Sequence, residues 1–300
     1  MSYYRSILRS FLPNWILEKY RSRKKIIKNK QLFQQQKEGK VITRNQLISD
    51  LEAAGILLGD NLMVHSSLSK IGFVENGPQT VVEALLEVIG PTGHLLMPNS
   101  PNASFQLDYI KQLEEFNVLS SPSKLGAISE FFRVFPGTKR SAHPTEPVSC
   151  YGPDKDFFVD DHFGNLTPYD KNSPYFKLIE RKGKILYLGV TLENAGTHLH
   201  TLEDAVEKFK FPVYHNEIFE VKVIMADGTS RKMKTKVHNP EQSKKRRCDD
   251  LIPLFEREGV LRKVKIGQAD ALIVDGEKMF QCMLEQYEKN GVTMYTPFGS

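Results

Sequence analysis

The chain has 300 residues, 40% apolar, 26% charged and 10% aromatic, a globular balance that excludes disordered, collagen-like and coiled-coil classes. No stretch approaches the roughly 20 apolar residues that cross a bilayer, and Met1-Ser-Tyr-Tyr-Arg5 opens no long apolar run with a small-residue cleavage site. Neither an integral membrane protein nor a secreted one is expected. The net charge of +5 is unevenly spread: residues 1–40 carry 11 Lys or Arg against Glu18 and Glu38, and the remainder carries 30 basic and 34 acidic residues. A basic tail therefore precedes a mildly acidic body. Cys150, Cys248 and Cys282 form no C-x-x-C pair, which argues against a disulfide framework and a thiolate zinc site and for a reducing, cytoplasmic compartment.

Residues 1–42 read as a basic amphipathic N-terminal arm. Ile7, Leu8, Phe11, Leu12, Ile16 and Leu17 recur near helical spacing, with Arg5, Arg9 and Trp15 beside them and Pro13 set to break or kink the helix. Two readings stand side by side. Residues 1–40 make peripheral contact with anionic lipid at the inner face of the membrane, or they form a solvated arm packed on a partner subunit of a homo-oligomer.

Residues 43–300 read as one α/β domain, a mixed central sheet flanked by helices with a small β-hairpin sub-region. A helix over 45–54 and a turn at Gly59-Asp60 precede a buried strand over 62–68, and a helix over 78–89 starts with Pro78 and stops at Gly90-Pro91 before a strand over 94–98. Residues 99–123 read as a covering loop, 125–135 as a helix, 136–172 as a long irregular stretch and 184–190 as a strand. Strands over 218–225 and 231–237 flank the hairpin signal Asp227-Gly228. A helix over 249–258, short strands over 260–266 and 271–274, and an amphipathic helix over 277–289 complete the domain.

Phosphate-loop and dinucleotide fingerprints are absent, and no zinc-finger or single-strand-binding pattern occurs, so neither nucleotide hydrolysis nor nucleic-acid binding is expected. The pair His198-Leu-His200 invites a metal reading, yet no carboxylate or thiolate stands at a familiar ligand spacing, and no metal is expected. If a helix begins near Thr197, His200 and Glu203 lie three residues apart on one face, where the carboxylate can orient the imidazole as a general base. A surface ion pair fits the same spacing. His65 reads as a core histidine and His143-Pro144 as a structural turn.

Four collinear segments make this sequence similar to the aminoglycoside 3-N-acetyltransferase family of acetyl-CoA-dependent N-acetyltransferases. They are Met63-Val-His-Ser-Ser-Leu-Ser-Lys-Ile-Gly72 with Gly77 to Pro98; Leu125 to Arg133 with Pro136-Gly137, Arg140-Ser-Ala-His-Pro144 and Ser149; Asp161-His162 with Ser173-Pro174 and Gly183 to Gly189; and Thr197-x-Leu-His-x-x-Glu203. The likeness runs from about residue 44 to 290 and leaves out the basic tail.

The resemblance implies that His200 is the catalytic base, that Glu203 supports it or faces the substrate amine, and that Glu193 matches an acidic position upstream of the motif. Ser66 and Ser67 match the turn that contacts the CoA arm, with backbone N–H groups near Ser67 as oxyanion donors. Arg140, Ser141, His143 and Ser149 match a segment divided between cofactor contact and scaffold.

The expected reaction is direct transfer from acetyl-CoA, the co-substrate, to the amine of an amino sugar. The basic arm and the mixed charge near Asp154, Asp156, Asp160 and Asp161 favour a nucleotide-linked sugar of surface polysaccharide biosynthesis. The alternative is aminoglycoside N-acetylation, as in antibiotic resistance. A second alternative is a non-catalytic membrane-associated binding protein.

Overall fold

The protein, represented by a computed structural model, is described over residues 14–102 and 104–299. Its strands in chain order are β1 (Val41–Ile42), β2 (Asn61–Ser66), β3 (Phe73–Val74), β4 (His94–Pro98), β5 (Glu115–Asn117), β6 (Lys139–Arg140), β7 (Val148–Tyr151), β8 (Lys184–Leu188), β9 (Phe219–Ile224), β10 (Ser230–Thr235), β11 (Leu261–Ile266) and β12 (Ala269–Asp275). Seven of them form one mixed sheet in the order β11-β12-β8-β2-β4-β7-β6. The expected α/β class with a mixed central sheet is what the chain adopts.

The central strands are apolar on both sides because both faces are covered. In β2, Leu62 and Val64 join one core while Met63 joins the other; in β8, Leu186 and Leu188 oppose Ile185 and Tyr187. Helices Arg44–Ala53, Pro78–Ile89 and Ala127–Arg133 cover the first face, and Pro174–Glu180, Ile252–Arg257 and Gly276–Asn290 cover the second. Pro78–Ile89 shows why: Pro78 presets the first turn, Gly90 at φ +64° ends it, and Val81, Val82, Leu85 and Ile89 are buried.

Strand β2 runs parallel to both neighbours, β4 and β8. The chain passes from β2 to β4 through Pro78–Ile89 on one face and enters β8 from Pro174–Glu180 on the other. Crossovers to opposite faces leave a crevice beyond the carboxyl end of β2, the topological switch point where α/β sheets bind ligands.

The hairpin sub-region is β9 and β10 closed by Asp227-Gly228, where Asp227 Oδ1 accepts from Thr229 N at 2.9 Å and Thr229 Oγ1 at 2.6 Å. It gains β5 as a third strand and a small core of Phe116, Val221, Val223 and Met233.

Several expectations are corrected in detail. The covering loop 99–123 contains helix Gln106–Ile110 and β5, and the irregular stretch 136–172 contains β6, β7 and helix Lys155–Val159. These elements are too short to show periodicity, and β5 and β7 form by pairing with strands remote in sequence, β9 and β4. The expected helix over 249–258 opens as a 3-10 turn, Cys248–Leu251, before Ile252–Arg257.

In the arm, Ile7, Leu8, Phe11, Leu12 and Pro13 lie outside the described residues, and the side chains of Trp15, Ile16 and Leu17 are likewise not described. A helix runs Asn14–Lys37, with Ile26, Ile27 and Phe33 exposed, and Gln35 Nε2 donates to Gln268 Oε1 at 2.9 Å. The tie to the domain starts before residue 43, because Val41–Ile42 pairs with β3 and Ile42 is buried. Among the described residues no helix is long and apolar enough to cross a membrane.

Gly189 turns the chain out of β8 toward the crevice at φ +73°, where a Cβ would stand 2.5 Å from Lys70 Cβ. Gly189→Ala should therefore lower stability by at least about 1–2 kcal/mol, read as a reduced urea midpoint at unchanged slope.

Candidate active site

Leaving β8, the chain makes the short helix Leu192–Ala195, a 3-10 turn Thr197–Leu199 and helix His200–Ala205. One helical turn separates His200 from Glu203, which brings both side chains to the same buried face. His200 Nδ1 lies 2.6 Å from Glu203 Oε2, and the other carboxyl oxygen, Oε1, accepts from the Tyr295 hydroxyl at 2.7 Å. Whenever Glu203 is ionised it only accepts, and His200 then carries its proton on Nδ1 and keeps the lone pair on Nε2.

Aromatic rings enclose this dyad. Tyr169 stacks on His200 at 4.8 Å and on His238 at 5.5 Å, His238 stands 4.2 Å from His200, and Tyr214 stacks on His238 at 5.1 Å. Asp204 secures two of these residues, accepting from the Tyr214 hydroxyl at 2.6 Å and from Tyr169 N at 3.2 Å. Burial drives the His200 imidazolium well below its ordinary range, which keeps the ring neutral at pH 7. Burial also pushes the Glu203 carboxyl up to about 8, opposed by the charge of Arg246 and the Tyr295 hydrogen bond.

His200 opens onto a cleft of about 1050 Å³ at the switch point, lined by His65 and Ser66 of β2, Pro98 of β4 and Val190 beyond β8. Asp108, Glu146 and Glu193 face it, as does one guanidinium, Arg246. Glu146 accepts from Gln106 Nε2 at 2.7 Å, and Gln106 Oε1 accepts from His238 N at 2.9 Å, so the covering segment is fastened to the site. His65 is buried as expected of a core histidine, stacked on Tyr187 at 5.1 Å, and it also walls the cleft with Nε2 3.3 Å from Thr197 Oγ1.

The structure brings His200, Glu193 and Ser66 to the cleft and Glu203 directly behind it. It does not bring the rest of the expected cofactor-binding residues there. Arg140 donates to the carbonyls of Val118, Ser121 and Asn99 at 3.1, 2.6 and 2.6 Å. Ser141 Oγ accepts from Val148 N at 2.9 Å and lies 2.8 Å from His162 Nδ1, while His143 stacks on His162 at 4.7 Å. Ser149 is fully buried in β7. None of the four lines the cleft: Arg140 ties β6 to the covering segment, Ser141 bonds to β7, and His143 and Ser149 are buried.

Ser67 does not line the cleft, and its own N–H donates to the Leu188 carbonyl at 2.9 Å. Glu193 is held at the cleft wall, with Oε2 accepting from Cys248 N at 2.9 Å and its own N–H donating to Asp249 Oδ1 at 2.9 Å. His198 turns away from His200, edge-on to Tyr175 at 5.3 Å. The acidic cluster expected near the substrate is spent on cations elsewhere, Asp154 on Arg181, Asp156 and Asp160 on Lys139, and Asp161 on Lys177.

Sequence reasoning missed His238, Arg246, Tyr169 and Tyr295. Each reaches the dyad from a remote segment, and Arg246 sits in the run Lys244-Lys-Arg-Arg247, which reads as a solvated basic stretch. Ligand atoms of His200, Glu203 and His238 lie within 4.8 Å of one another, a spacing that could hold a metal ion. The Arg246 guanidinium 3.1 Å from His238 Nδ1 places a fixed positive charge beside that cluster and disfavours a second cation.

The family model described as aminoglycoside 3-N-acetyltransferase matches residues 63–288. Aminoglycoside N(3)-acetyltransferase VIII of Streptomyces fradiae is 32% identical over 185 residues, 57% of this chain and 64% of that protein, so the match spans just under two thirds of this relative's length. A solved structure of AAC-IIIb, binary with CoASH, superposes at TM-score 0.71 with 26% identity, covering 83% of this chain and 97% of that one. AAC-VIa bound to sisomicin superposes at TM-score 0.69 with 25% identity, covering 82% of this chain and 97% of that one. With the family model matching residues 63–288 and most of its fold shared with these structures, the chain belongs to the aminoglycoside 3-N-acetyltransferase family, a family of acyltransferases.

Proposed function

We propose that this protein acetylates an amino group of an aminoglycoside, using acetyl-CoA as co-substrate, by direct transfer with His200 as general base. The observation that carries the reading is the buried His200–Glu203 hydrogen bond of 2.6 Å at the edge of a large, carboxylate-lined cleft. Asp108, Glu146 and Glu193 suit a ligand with several ammonium groups. The volume of about 1050 Å³ lies at the top of the small-molecule range and has room for two substrates together. Relatives bound to CoASH and to sisomicin support both halves of the assignment. The nucleotide-linked sugar expected from the basic arm finds no support among the relatives, and the aminoglycoside alternative fits them better. The intact dyad weighs against a non-catalytic binding protein. Three unpaired cysteines fit a reducing cytoplasm as the site of the reaction.

Bound acetyl-CoA supplies the acetyl thioester. His200 Nε2 takes the proton that the amine loses as its nitrogen bonds to the carbonyl carbon, and delivers it to the sulfur as the C–S bond breaks. Glu203 holds the ring so that Nε2 faces the reaction and offsets the charge of the transient imidazolium. The Tyr169 and His238 rings keep water from the dyad.

Release of CoA thiol should be followed with an aminoglycoside panel beside nucleotide-linked amino sugars. Turnover confined to the latter would overturn the substrate assignment. His200→Ala should lower kcat by about 10²–10⁴-fold with the KM for acetyl-CoA nearly unchanged, and an unaffected kcat would remove the base.

Glu203→Gln should be as severe, about 10³–10⁴-fold. Its amide N–H would donate to Nδ1, and the proton forced onto Nε2 removes the lone pair.

Because the raised Glu203 carboxyl takes up a proton as pH falls through about 8, kcat should drop on that side. The drop should be absent or displaced in Glu203→Gln, whereas titration of the substrate amine persists there.

Stability runs the other way. A carboxyl whose folded pKa is raised above its unfolded value destabilises the fold increasingly as pH rises from the unfolded pKa to about 8. The melting temperature of Glu203→Gln relative to wild type should therefore be more favourable at pH 8.5 than at pH 5. An equal difference at both values would show that Glu203 is not held at a raised pKa.

A further inference from the structure

Beside the dyad, at the cleft wall, lies a pair of residues whose polar groups the direct-transfer scheme does not use. Arg246 Nη2 is 3.1 Å from His238 Nδ1 and 3.1 Å from Ser243 Oγ. His238 is buried at 5% exposure, clamped between Tyr169 and Tyr214, and its Nε2 lies 3.6 Å from Glu203 Oε2 with no closer partner.

A guanidinium has only donors. The His238 nitrogen facing it must accept, so the proton of the neutral ring sits on the opposite nitrogen, Nε2, the one directed at Glu203.

We propose that Arg246 and His238 are positioning residues that hold the catalytic dyad in its working protonation state: Arg246 fixes the Nε2–H tautomer of His238, and that N–H, aimed at Glu203 Oε2, keeps the buried carboxylate able to hold the proton of His200 on Nδ1. The two neighbouring imidazoles are thereby set in opposite tautomers, Nδ1–H in His200 and Nε2–H in His238, by one carboxylate and one guanidinium. Without Arg246, His238 could turn its lone pair toward Glu203, which would favour a protonated carboxyl and withdraw the acceptor that orients His200.

The other ionisable groups around Glu203 are consistent with this. Tyr295 donates to Oε1 from the C-terminal segment. Asp204, on the same helix, is occupied by Tyr214 and Tyr169 N. The thiol of Cys248 and the hydroxyls of Tyr169 and Tyr214 are buried, and all three are held in their protonated, neutral forms. Arg246 is thus the one fixed positive charge close to the carboxylate among the described residues.

The inference rests on His200 as base, and its tests separate the two. In wild-type protein labelled with ¹⁵N-histidine above about pH 9, where Glu203 is ionised, His238 should show a protonated Nε2 and a bare Nδ1, and His200 the reverse. Nδ1–H in both rings overturns the proposal while leaving the base intact; Nε2–H in His200, or an active His200→Ala, sinks the base reading itself.

His238→Phe keeps a ring between Tyr169 and Tyr214 but removes the N–H. It should lower kcat about tenfold and shift the acidic limb of the kcat profile up by about one pH unit, leaving the KM for acetyl-CoA unchanged. Arg246→Lys, which retains a cationic donor, should restore more of the rate and of the limb than Arg246→Met. A His238→Phe enzyme with the wild-type kcat and limb, or equal loss in both Arg246 variants, would reduce the pair to packing.

Discussion

The whole site depends on burying one carboxylate. Glu203 is placed where water cannot solvate it, and a charge there is tolerable only when every acceptor direction is met. The His200 Nδ1–H and the Tyr295 hydroxyl fill two of them at 2.6 and 2.7 Å, and Arg246 supplies a compensating charge without a direct ion pair. Those demands bring four remote segments together: the helix from His200, the loops carrying His238 and Arg246, and the C-terminal turn carrying Tyr295. The burial that makes the carboxylate costly also keeps His200 neutral, and a neutral imidazole with one committed nitrogen is what proton transfer from an amine requires.

The sheet supplies the place. Parallel pairing of β2 with both β4 and β8, with crossovers to opposite faces, opens the crevice at the one position where strand ends diverge. Gly189 redirects the chain there with a backbone conformation that a side chain would resist, and the next fifteen residues build the turn that delivers His200 and Glu203. Residues 99–123, expected as a loop, form the far wall, and the pairing of β5 with β9 ties that wall to the hairpin sub-region. Gln106 then links it to both Glu146 and His238, so the groups that meet substrate and those that support the base share one hydrogen-bonded frame.

The scaffold residues carry a lesson about motifs. Arg140, Ser141, His143 and Ser149 lie in a segment that resembles the family, yet their polar atoms are turned inward, with Arg140 satisfying three carbonyls of the covering segment. A buried guanidinium that saturates backbone acceptors is as demanding of residue type as one that binds a ligand, so a motif marks a constraint without saying which kind.

What the sequence by itself determined follows from short range. The central strands and long helices show in their periodicity, the hairpin in Asp227-Gly228, and the His200–Glu203 contact in a three-residue spacing that one helical turn converts into a hydrogen bond. What only the tertiary structure decided is of longer range. His238 was one histidine among eight, and Arg246 one cation in a basic run. Nothing local distinguishes a guanidinium turned inward against an imidazole from one in solvent. The acidic cluster at 154–161 misled for the same reason, since its ion pairs with Lys139, Lys177 and Arg181 form only once the sheet and its helices are packed. Burial, tautomer and partner are properties of a packed interior, and the chain acquires them only when segments far apart in sequence close around the same carboxylate.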